Sequence, residues 1–239
     1  PTGSISLGAG YSTSDGIILS AGFAQDNVFG SGKSTSIEVN TSKSQRTYAF
    51  SLTEPYITPE GISRNWDIYD RRVDLDELDV SNVAYETIGA GISFGVPVTE
   101  LDRIFVGTRW EMTKVDLRGG TDPSPKRYWD YVDQYGDKPQ SLLLTLGWSR
   151  DSRDNVLAPT RGRYQRFNAE VSLPALDTQY YRATYQITQY LPITNFWTLG
   201  LNMQAGYGDS YGSKRYPFFK NFYAGGIGSV RGYESSSLG

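Results

Sequence analysis

The stretch WTLGLNMQAGY, residues 197–207, alternates without a break between two kinds of side chain. Its odd-numbered positions hold Trp, Leu, Leu, Met, Ala and Tyr, whereas its even-numbered positions hold Thr, Gly, Asn, Gln and Gly. Because successive side chains of a β-strand point to opposite faces, this stretch predicts a strand with one apolar face and one polar face.

The same alternation of period two recurs along the chain. It is clear in YRATYQITQYL (181–191), RFNAEVSL (166–173) and IFVGTRWEM (104–112). We expect about eleven strands and no helix, each strand being near the ~9–11 residues that cross a bilayer at a tilt. The expected positions are 3–12, 17–28, 33–42, 46–56, 62–73, 85–96, 102–115, 141–152, 163–173, 179–191 and 195–208.

The pattern favours an all-β fold, a transmembrane antiparallel β-barrel, over the soluble β-sandwich that alternation alone leaves open. Aromatic residues lie near the strand ends, as in the interfacial girdles of membrane proteins. Charged residues lie in the middle of the polar faces, as a water-filled lumen allows: Glu38, Arg109, Glu111, Arg166, Glu170 and Arg182. The connections predict short turns at one end and longer loops after the odd-numbered strands.

The alternation also assigns faces within the last two predicted strands. The residues expected to face lipid are Ala183, Tyr185, Leu199 and Leu201. The residues expected to face the lumen are Arg182, Gln186, Asn202 and Gln204.

The composition argues against several kinds of catalytic and binding site. The 239 residues contain neither cysteine nor histidine, so the chain has no disulfide, no thiol nucleophile, no Ser-His-Asp triad and no Cys or His metal site. Its carboxylates are scattered over many strands, which indicates a polar lining rather than an acid–base pair. The net charge of −3 argues against a dedicated nucleic-acid-binding protein. We predict no catalytic residue, no metal site and no cofactor.

Three short motifs have an ordinary structural interpretation. The acidic stretch DLDELD (74–79) does not match an EF-hand, because the required glycine and glutamate are missing, and we expect a solvated loop. For RDSRDN (150–155) we favour an ordinary turn cluster over a positioned ion-pair network at which a partner domain docks. The glycine-rich run GGIGSVRG (225–232) precedes no predicted helix, which argues against a phosphate-binding loop.

Four longer stretches resemble the BamA family, the core proteins of the outer-membrane β-barrel assembly machinery of Gram-negative bacteria. They are TGSISLGAGYSTSDGIILSAGFAQDNVFGSGKS (2–34), TEPYITPEGIS (53–63), RDNVLAPTRGRY (153–164) and FYAGGIGSVRGYESSSLG (222–239). The family barrel has sixteen strands, and its VRG(F/Y) motif lies in the sixth outer loop, after strand eleven. The resemblance implies that residues 1–239 form a partial barrel of about eleven strands and the start of that loop. The family's POTRA domains and strands twelve to sixteen are not expected within this chain.

The resemblance further implies that the protein is not an enzyme but folds and inserts client proteins at a lateral seam. There the first strand pairs weakly with the last strand of the complete barrel, and a client strand adds to the opened edge. The implied location is the cell outer membrane, as an integral protein. The implied partners are client outer-membrane proteins, accessory Bam lipoproteins, membrane lipid, lipopolysaccharide and the remaining barrel strands, with no nucleic acid. The implied seam strand comprises Gly3, Ser4, Ile5, Ser6, Leu7, Gly8, Ala9, Gly10 and Tyr11.

Two other functions stay open at this point. One is a passive porin or a two-partner secretion channel, because a polar lumen suits a pore and such a transporter also carries a VRG-type loop. The other, less well supported, is a soluble sugar-binding β-protein.

The motif Val230-Arg231-Gly232-Tyr233 is expected to fold inward and dock on the lumen wall. Arg231 suits this role because its planar guanidinium binds a carboxylate through two hydrogen bonds and stays charged. The resemblance implies that the carboxylate partners lie on strands after the eleventh. The alternative is a solvent-exposed loop arginine.

Overall fold

The computed structural model describes residues 3–12, 16–76, 82–117, 124–194 and 196–225. Within these residues, eleven β-strands form one antiparallel sheet in which each strand is hydrogen-bonded to the next in chain order. The predicted strands are confirmed, with ends that differ by a few residues. They are β1 (Gly3–Ser12), β2 (Gly16–Gln25), β3 (Ser34–Thr41), β4 (Gln45–Glu54), β5 (Ser63–Asp74), β6 (Val83–Pro97), β7 (Asp102–Leu117), β8 (Gln140–Asp151), β9 (Gly162–Ser172), β10 (Tyr180–Pro192) and β11 (Thr198–Ser210).

The register gives the sheet two chemically different faces. Between β10 and β11, Gln186 lies opposite Gln204, and Tyr185 lies opposite Ala205. We call the face with Gln186 the inner face, because the chain after β11 packs against it, and the face with Tyr185 the outer face. The apolar residues predicted to face lipid therefore lie on the outer face, and their polar neighbours lie on the inner face.

The charged residues predicted to line a lumen lie on the inner face. Arg182 of β10 is the register neighbour of Glu170 of β9. On β7, Arg109 and Glu111 share this face, and Arg109 Nη2 lies 3.4 Å from Asp67 Oδ2. The inner face thus accommodates charges in the middle of strands by placing opposite charges on the next strand or across the glycine of an intervening strand.

The connection between β7 and β8 contains a helix, α1 (Lys126–Tyr135), so the prediction of no helix is wrong. The period-two pattern of the strands does not extend into this stretch. Its apolar residues instead recur at the spacing of one helix face: Tyr128, Tyr131, Val132 and Tyr135. The helix ends at Gly136, whose φ of 84° favours glycine. Within the described ranges, no helix is both long enough and apolar enough to cross a membrane.

An apolar cluster, which we call the aromatic cap, covers the inner face at the end where odd-numbered strands finish. It consists of Leu75, Val83, Val115, Tyr128, Tyr131, Phe218 and Phe219. These residues join the ends of β5–β7 to α1 and to the chain after β11. Burying each large side chain stabilises the fold by about 1.5–3 kcal/mol. The predicted polar lining is therefore incomplete, because at this end the inner face is apolar and covered.

The connections follow the predicted division into short turns and long loops only in part. The longest one, residues 118–139, does follow an odd-numbered strand. The connections after β1 and β3 are short, however, at residues 13–15 and 42–44. Residues 152–161 form a longer turn after the even-numbered β8.

The RDSRDN motif forms a turn cluster that contains an ion pair. Arg153 donates to Asp151 from Nε at 2.9 Å and from Nη2 at 2.7 Å. Asp154 accepts the backbone N–H of Thr160 at 3.0 Å. The Thr160 hydroxyl and nearby backbone N–H groups lower the pKa of Asp154 to about 2, because they stabilise the charged carboxylate. These contacts satisfy the turn's own polar groups, which supports the structural interpretation.

The two faces make a testable prediction about β11. Leu201 lies on the outer face and Gln204 on the inner face. Replacing Leu201 by arginine should destabilise the membrane-embedded protein by about 2–4 kcal/mol, because the charge would enter hydrocarbon. Gln204→Arg should cost much less. Urea unfolding in liposomes measures both, and equal losses would contradict a lipid-facing outer surface.

Candidate functional site

The chain after β11 folds back onto the inner face. We call residues 211–225 the loop segment. Its centre is a short 3-10 turn, Phe218–Lys220, which places Phe218 and Phe219 in the aromatic cap with 7% and 8% of their surface exposed. The turn directs both phenylalanine side chains into the aromatic cap, so two adjacent residues are buried in the same cluster. The loop segment is therefore packed against the sheet.

A buried ion pair fixes the loop segment to β7. Lys220 Nζ lies 2.5 Å from Glu111 Oε2, and the two side chains retain 14% and 5% of their exposure. The other carboxylate oxygen of Glu111 accepts the hydroxyl of Tyr69 at 2.5 Å. Since both oxygens of Glu111 are bound, the carboxylate is satisfied despite its burial.

The register explains how Tyr69 of β5 reaches over β6 to Glu111 of β7. Tyr69 of β5 lies opposite Gly89 of β6, and Gly89 lies opposite Glu111 of β7. A Cβ added at Gly89 would come within 2.5 Å of the Tyr69 ring. The absence of a side chain at Gly89 thus lets the tyrosine lie flat over β6 and donate to Glu111.

Two glycines of β11 make room for the loop segment beside its own strand. A Cβ at Gly206 would lie 2.5 Å from the ring of Phe222, and a Cβ at Gly208 would lie 2.7 Å from the hydroxyl oxygen of Tyr216. The guanidinium of Arg182 lies 4.4 Å from the Phe222 ring centroid, a cation–π distance. The loop segment therefore follows the inner face of β10 and β11 closely.

Tyrosines surround the ammonium group of Lys220. The ring of Tyr180, which is fully buried, lies 5.8 Å from Lys220 Nζ. Tyr180 donates its hydroxyl to Glu170 at 3.2 Å. Tyr216 donates to the backbone carbonyl of Lys220 at 3.0 Å, and burial raises the pKa of Tyr216 to about 12. Both phenol groups therefore act as hydrogen-bond donors around Lys220.

The helix and a second connection hold the loop segment from the other side. The rings of Tyr128 and Phe218 stack with centroids 4.1 Å apart. The hydroxyl of Tyr135 accepts the backbone N–H of Arg215 at 3.0 Å. Lys214 Nζ donates to backbone carbonyls between β9 and β10, at 3.0 and 2.7 Å. The sheet, α1 and this connection together immobilise the chain that leads into the VRGY motif.

The structure shows a loop anchor at residues that the sequence prediction did not name. Val230, Arg231, Gly232 and Tyr233 lie outside the described residues, so their predicted docking stays a prediction. The structure adds an upstream anchor, Lys220 with Glu111 and Tyr69, on strands before the eleventh. The run YPFFKNFY (216–223) carried the signal for it, because five aromatic residues and a proline in a loop require a place to be buried.

The predicted seam strand corresponds to β1. Its ten residues pair with β2 from Gly3 to Ser12, and no other described strand neighbours it in the sheet. Ile5 and Leu7, on the outer face, are 76% and 82% exposed, whereas the inner face carries only small residues. The other edge of β1 has no partner strand within the described residues, and its backbone N–H and C=O groups can pair with a further strand.

The ion pair makes a quantitative prediction. Lys220→Met should destabilise the full-length protein by about 3–5 kcal/mol, because it leaves the Glu111 charge buried without its cation. Adding Glu111→Gln should recover part of this loss, since glutamine is neutral and still accepts from Tyr69. Urea unfolding followed by tryptophan fluorescence measures both.

Lys214→Met is the matched control in the same segment. In this variant only backbone carbonyls lose a donor, so the substitution should destabilise the protein by about 1.5–3 kcal/mol. Equal losses for the single and double variants would contradict a buried ion pair.

Comparisons with known proteins agree with this architecture. Residues 27–239 match the Omp85 superfamily domain. The chain is 41% identical, over 100% of its length, to the outer membrane protein assembly factor BamA of Neisseria meningitidis, and covers 31% of that protein. It is 26% identical to BamA of Nitratidesulfovibrio vulgaris, covering 99% of this chain and 29% of the relative. The chain thus spans about a third of the length of these curated relatives.

Two solved structures share the fold. The crystal structure of BamA from Haemophilus ducreyi lacking POTRA domains 1–3 aligns with a TM-score of 0.85 at 27% identity, over 100% of this chain and 47% of that one. CdiB from Acinetobacter baumannii aligns with a TM-score of 0.55 at 15% identity, over 96% and 42% of the two chains, a likeness of fold alone.

These matches confirm the resemblance to BamA that the sequence motifs indicated. They also confirm the partial antiparallel barrel and its location as an integral part of the outer membrane. By its domain match over most of its length, the chain belongs to the Omp85 superfamily.

Proposed function

We propose that this chain is the barrel part of a protein that folds and inserts other β-barrel proteins into the outer membrane, without bond-making chemistry of its own. The 41% identity to an outer membrane protein assembly factor is the observation that carries the proposal. The glycines and small side chains of β1 support it.

The chemistry of the reaction is the exchange of backbone hydrogen bonds. A client strand that reaches the edge of β1 finds unpaired N–H and C=O groups, and pairing with them replaces bonds that the client could not make in hydrocarbon. The strand is suited to opening, because Gly8 and Gly10 weaken strand packing. Small side chains such as Ser4 and Ser6 leave little on the inner face to hold a neighbour.

The loop segment positions the VRGY motif in this proposal. Gly225, the last residue described, follows the anchor at Lys220 by a few residues. Arg231 is six residues further along the chain, so it lies within about 20 Å of Gly225 even if the chain is fully extended. That limit keeps Arg231 within reach of the inner face, where docking on a carboxylate of a later strand would brace the barrel while the seam opens.

The free energy of the folded client drives insertion, so no nucleotide or other cofactor is part of the proposal. The partners that follow from it are client outer-membrane proteins, accessory Bam lipoproteins, and the membrane lipid and lipopolysaccharide around the barrel. A seam next to this lipid lowers the barrier for a client strand to enter the bilayer.

A passive channel is the competing function, as a porin or a two-partner secretion pore. The aromatic cap and the loop segment occupy the inner face at one end of the sheet, which disfavours a permanently open pore. Conductance of planar bilayers compared with client folding in liposomes separates the two. High conductance without client folding would support the channel and overturn the assembly role.

The seam predicts a specific effect of locking. A disulfide between a cysteine at Ser6 and one on the last strand of the full-length barrel should block client insertion, because β1 can no longer separate. The barrel itself should stay folded, since the lock joins strands that already neighbour each other. Client assembly in liposomes, measured before and after reduction, tests this. Normal assembly by the oxidised protein would contradict lateral opening.

The docking of the VRGY motif predicts a graded series at Arg231. Arg231→Lys keeps the charge but loses the two-pronged geometry, so assembly and barrel stability should fall. Arg231→Ala should reduce both further. Unfolding and client-folding assays on the full-length protein measure the series, with Arg161→Ala in an exposed turn as the matched control. Wild-type behaviour of Arg231→Ala would overturn the docking.

A further inference from the structure

A polar pocket with a volume of about 340 Å³ lies on the inner face between β6 and β10. Three arginines from three strands line it: Arg109 of β7, Arg166 of β9 and Arg182 of β10. Glu170 of β9 is the one carboxylate among its described lining residues. The loop segment contributes none of these residues, so the pocket is separate from the anchor at Lys220. We call it the arginine pocket.

The carboxylates near the arginine pocket leave part of its positive charge uncompensated. Asp67 Oδ2 lies 3.4 Å from Arg109 Nη2, so this pair is neutral. Glu170 is the register neighbour of Arg182, and it also accepts the hydroxyl of Tyr180 at 3.2 Å. With Glu170 assigned to Arg182, the third arginine of the pocket has no carboxylate.

That third arginine is Arg166. Its side chain is exposed on the inner face, and its Nε donates to the amide oxygen of Asn168 at 3.3 Å. It makes no salt bridge within the residues that the structure describes. A neutral amide oxygen satisfies one donor of the guanidinium and does not balance its charge.

Arg103 of β7 adds a further cation beside the arginine pocket. Arg103 and Arg166 lie on either side of Ser149 of β8, and all three belong to the inner face. Arg103 is exposed and also lacks a salt bridge in the described part of the chain. The next inner-face residue of β8 is Asp151, which is engaged by Arg153. The inner face therefore carries an excess of positive charge from the arginine pocket toward the even-numbered strand ends.

Two of the pocket arginines also have donors without acceptors. The Nε atoms of Arg109 and Arg182 are buried and have no hydrogen-bond partner among the described residues. The guanidinium of Arg182 lies 4.4 Å from the ring centroid of Phe222, which holds this side chain beside the loop segment. Because a carboxylate accepts two N–H donors from one guanidinium, carboxylates are the ligands that match this lining.

The spacing of the arginines suits several carboxylates better than one. Two strand spacings, about 10 Å, separate the backbones of Arg109 and Arg166. Arg182 lies opposite Glu170, four residues along β9 from Arg166, which corresponds to about 14 Å. Side chains on one face of an extended chain repeat about every 7 Å. Acidic residues two or four positions apart in such a chain therefore match these distances.

We propose that the arginine pocket binds acidic side chains on one face of an extended polypeptide segment that enters from the even-numbered strand ends. The aromatic cap covers the opposite end. The hydroxyl groups of Ser93, Thr145 and Thr184 line the same pocket and supply partners for the backbone of the segment. The inference rests on the proposed function, because a client strand is such a segment, and it adds that an acidic polar face strengthens client binding.

The test is peptide binding to the full-length protein in lipid nanodiscs, measured by fluorescence anisotropy. The probes are short peptides in which threonine alternates with glutamate, with glutamine or with lysine. Wild type should bind the glutamate peptide about tenfold more tightly than the glutamine peptide, because each charge pair contributes severalfold. Added salt should reduce this preference by screening the charges.

Substitutions on β9 separate the arginine pocket from charge elsewhere. Arg166→Gln removes an exposed cation that has no carboxylate partner, so it should fold normally and weaken glutamate-peptide binding about fivefold. Arg163→Gln removes a cation from the outer face of the same strand and is the matched control, which should bind as wild type. Arg166→Glu should favour the lysine peptide over the glutamate peptide, a reversal that a loss of stability cannot produce.

Three results would contradict the proposal. Equal binding of the glutamate and glutamine peptides by wild type would overturn it, as would wild-type binding by both Arg166→Gln and Arg166→Glu. Displacement of the glutamate peptide by free glutarate at the same carboxylate concentration would show a small-anion site and overturn the assignment to an extended segment. The assay involves no client folding, so its failure would leave the proposed assembly function to be judged by the disulfide lock alone.

Discussion

Tyr69, Gly89 and Glu111 lie side by side on three neighbouring strands, and the backbone ladder that aligns them is the constraint on which the rest of the structure depends. A slip of one residue between β6 and β7 would turn Glu111 to the outer face, into lipid. The loop segment would then lose the partner of Lys220. The same ladder places Arg72, Glu86 and Lys114 on the outer face. One register therefore determines both where the loop docks and which side chains meet the membrane.

The Glu111–Lys220 pair illustrates why a buried charge can be retained in such a fold. Removing two charges from water costs several kcal/mol each, and their mutual attraction in a dry site offsets this only with good geometry. Here Tyr69 satisfies the second carboxylate oxygen, and Tyr180 faces the ammonium group. An apolar pair would pack as well, but it would tolerate many positions of the loop segment. The ion pair, together with Tyr69, restricts the loop segment to one position.

The aromatic cap and the β1 edge differ in how tightly they are packed, and this difference fits the proposed function. The end with the aromatic cap is packed, because α1 and the loop segment supply apolar partners for β5–β7. The edge at β1 has small residues on its inner face and a single neighbouring strand within the described residues. The anchored loop segment and the edge strand β1 thus lie in separate parts of one sheet. A protein that must open without unfolding requires this separation.

The sequence by itself determined the strands, their faces and their order, because period-two alternation is a local property that any stretch of about ten residues reveals. It also placed Glu111 on the inner face. It could not supply α1, whose aromatic stripe is short and lies in a polar connection, or the identity of the partner of Glu111. Lys220 is 109 residues away along the chain, and no local pattern links the two. Only the tertiary structure decided that pair, because it arises where the chain after β11 folds back onto β7.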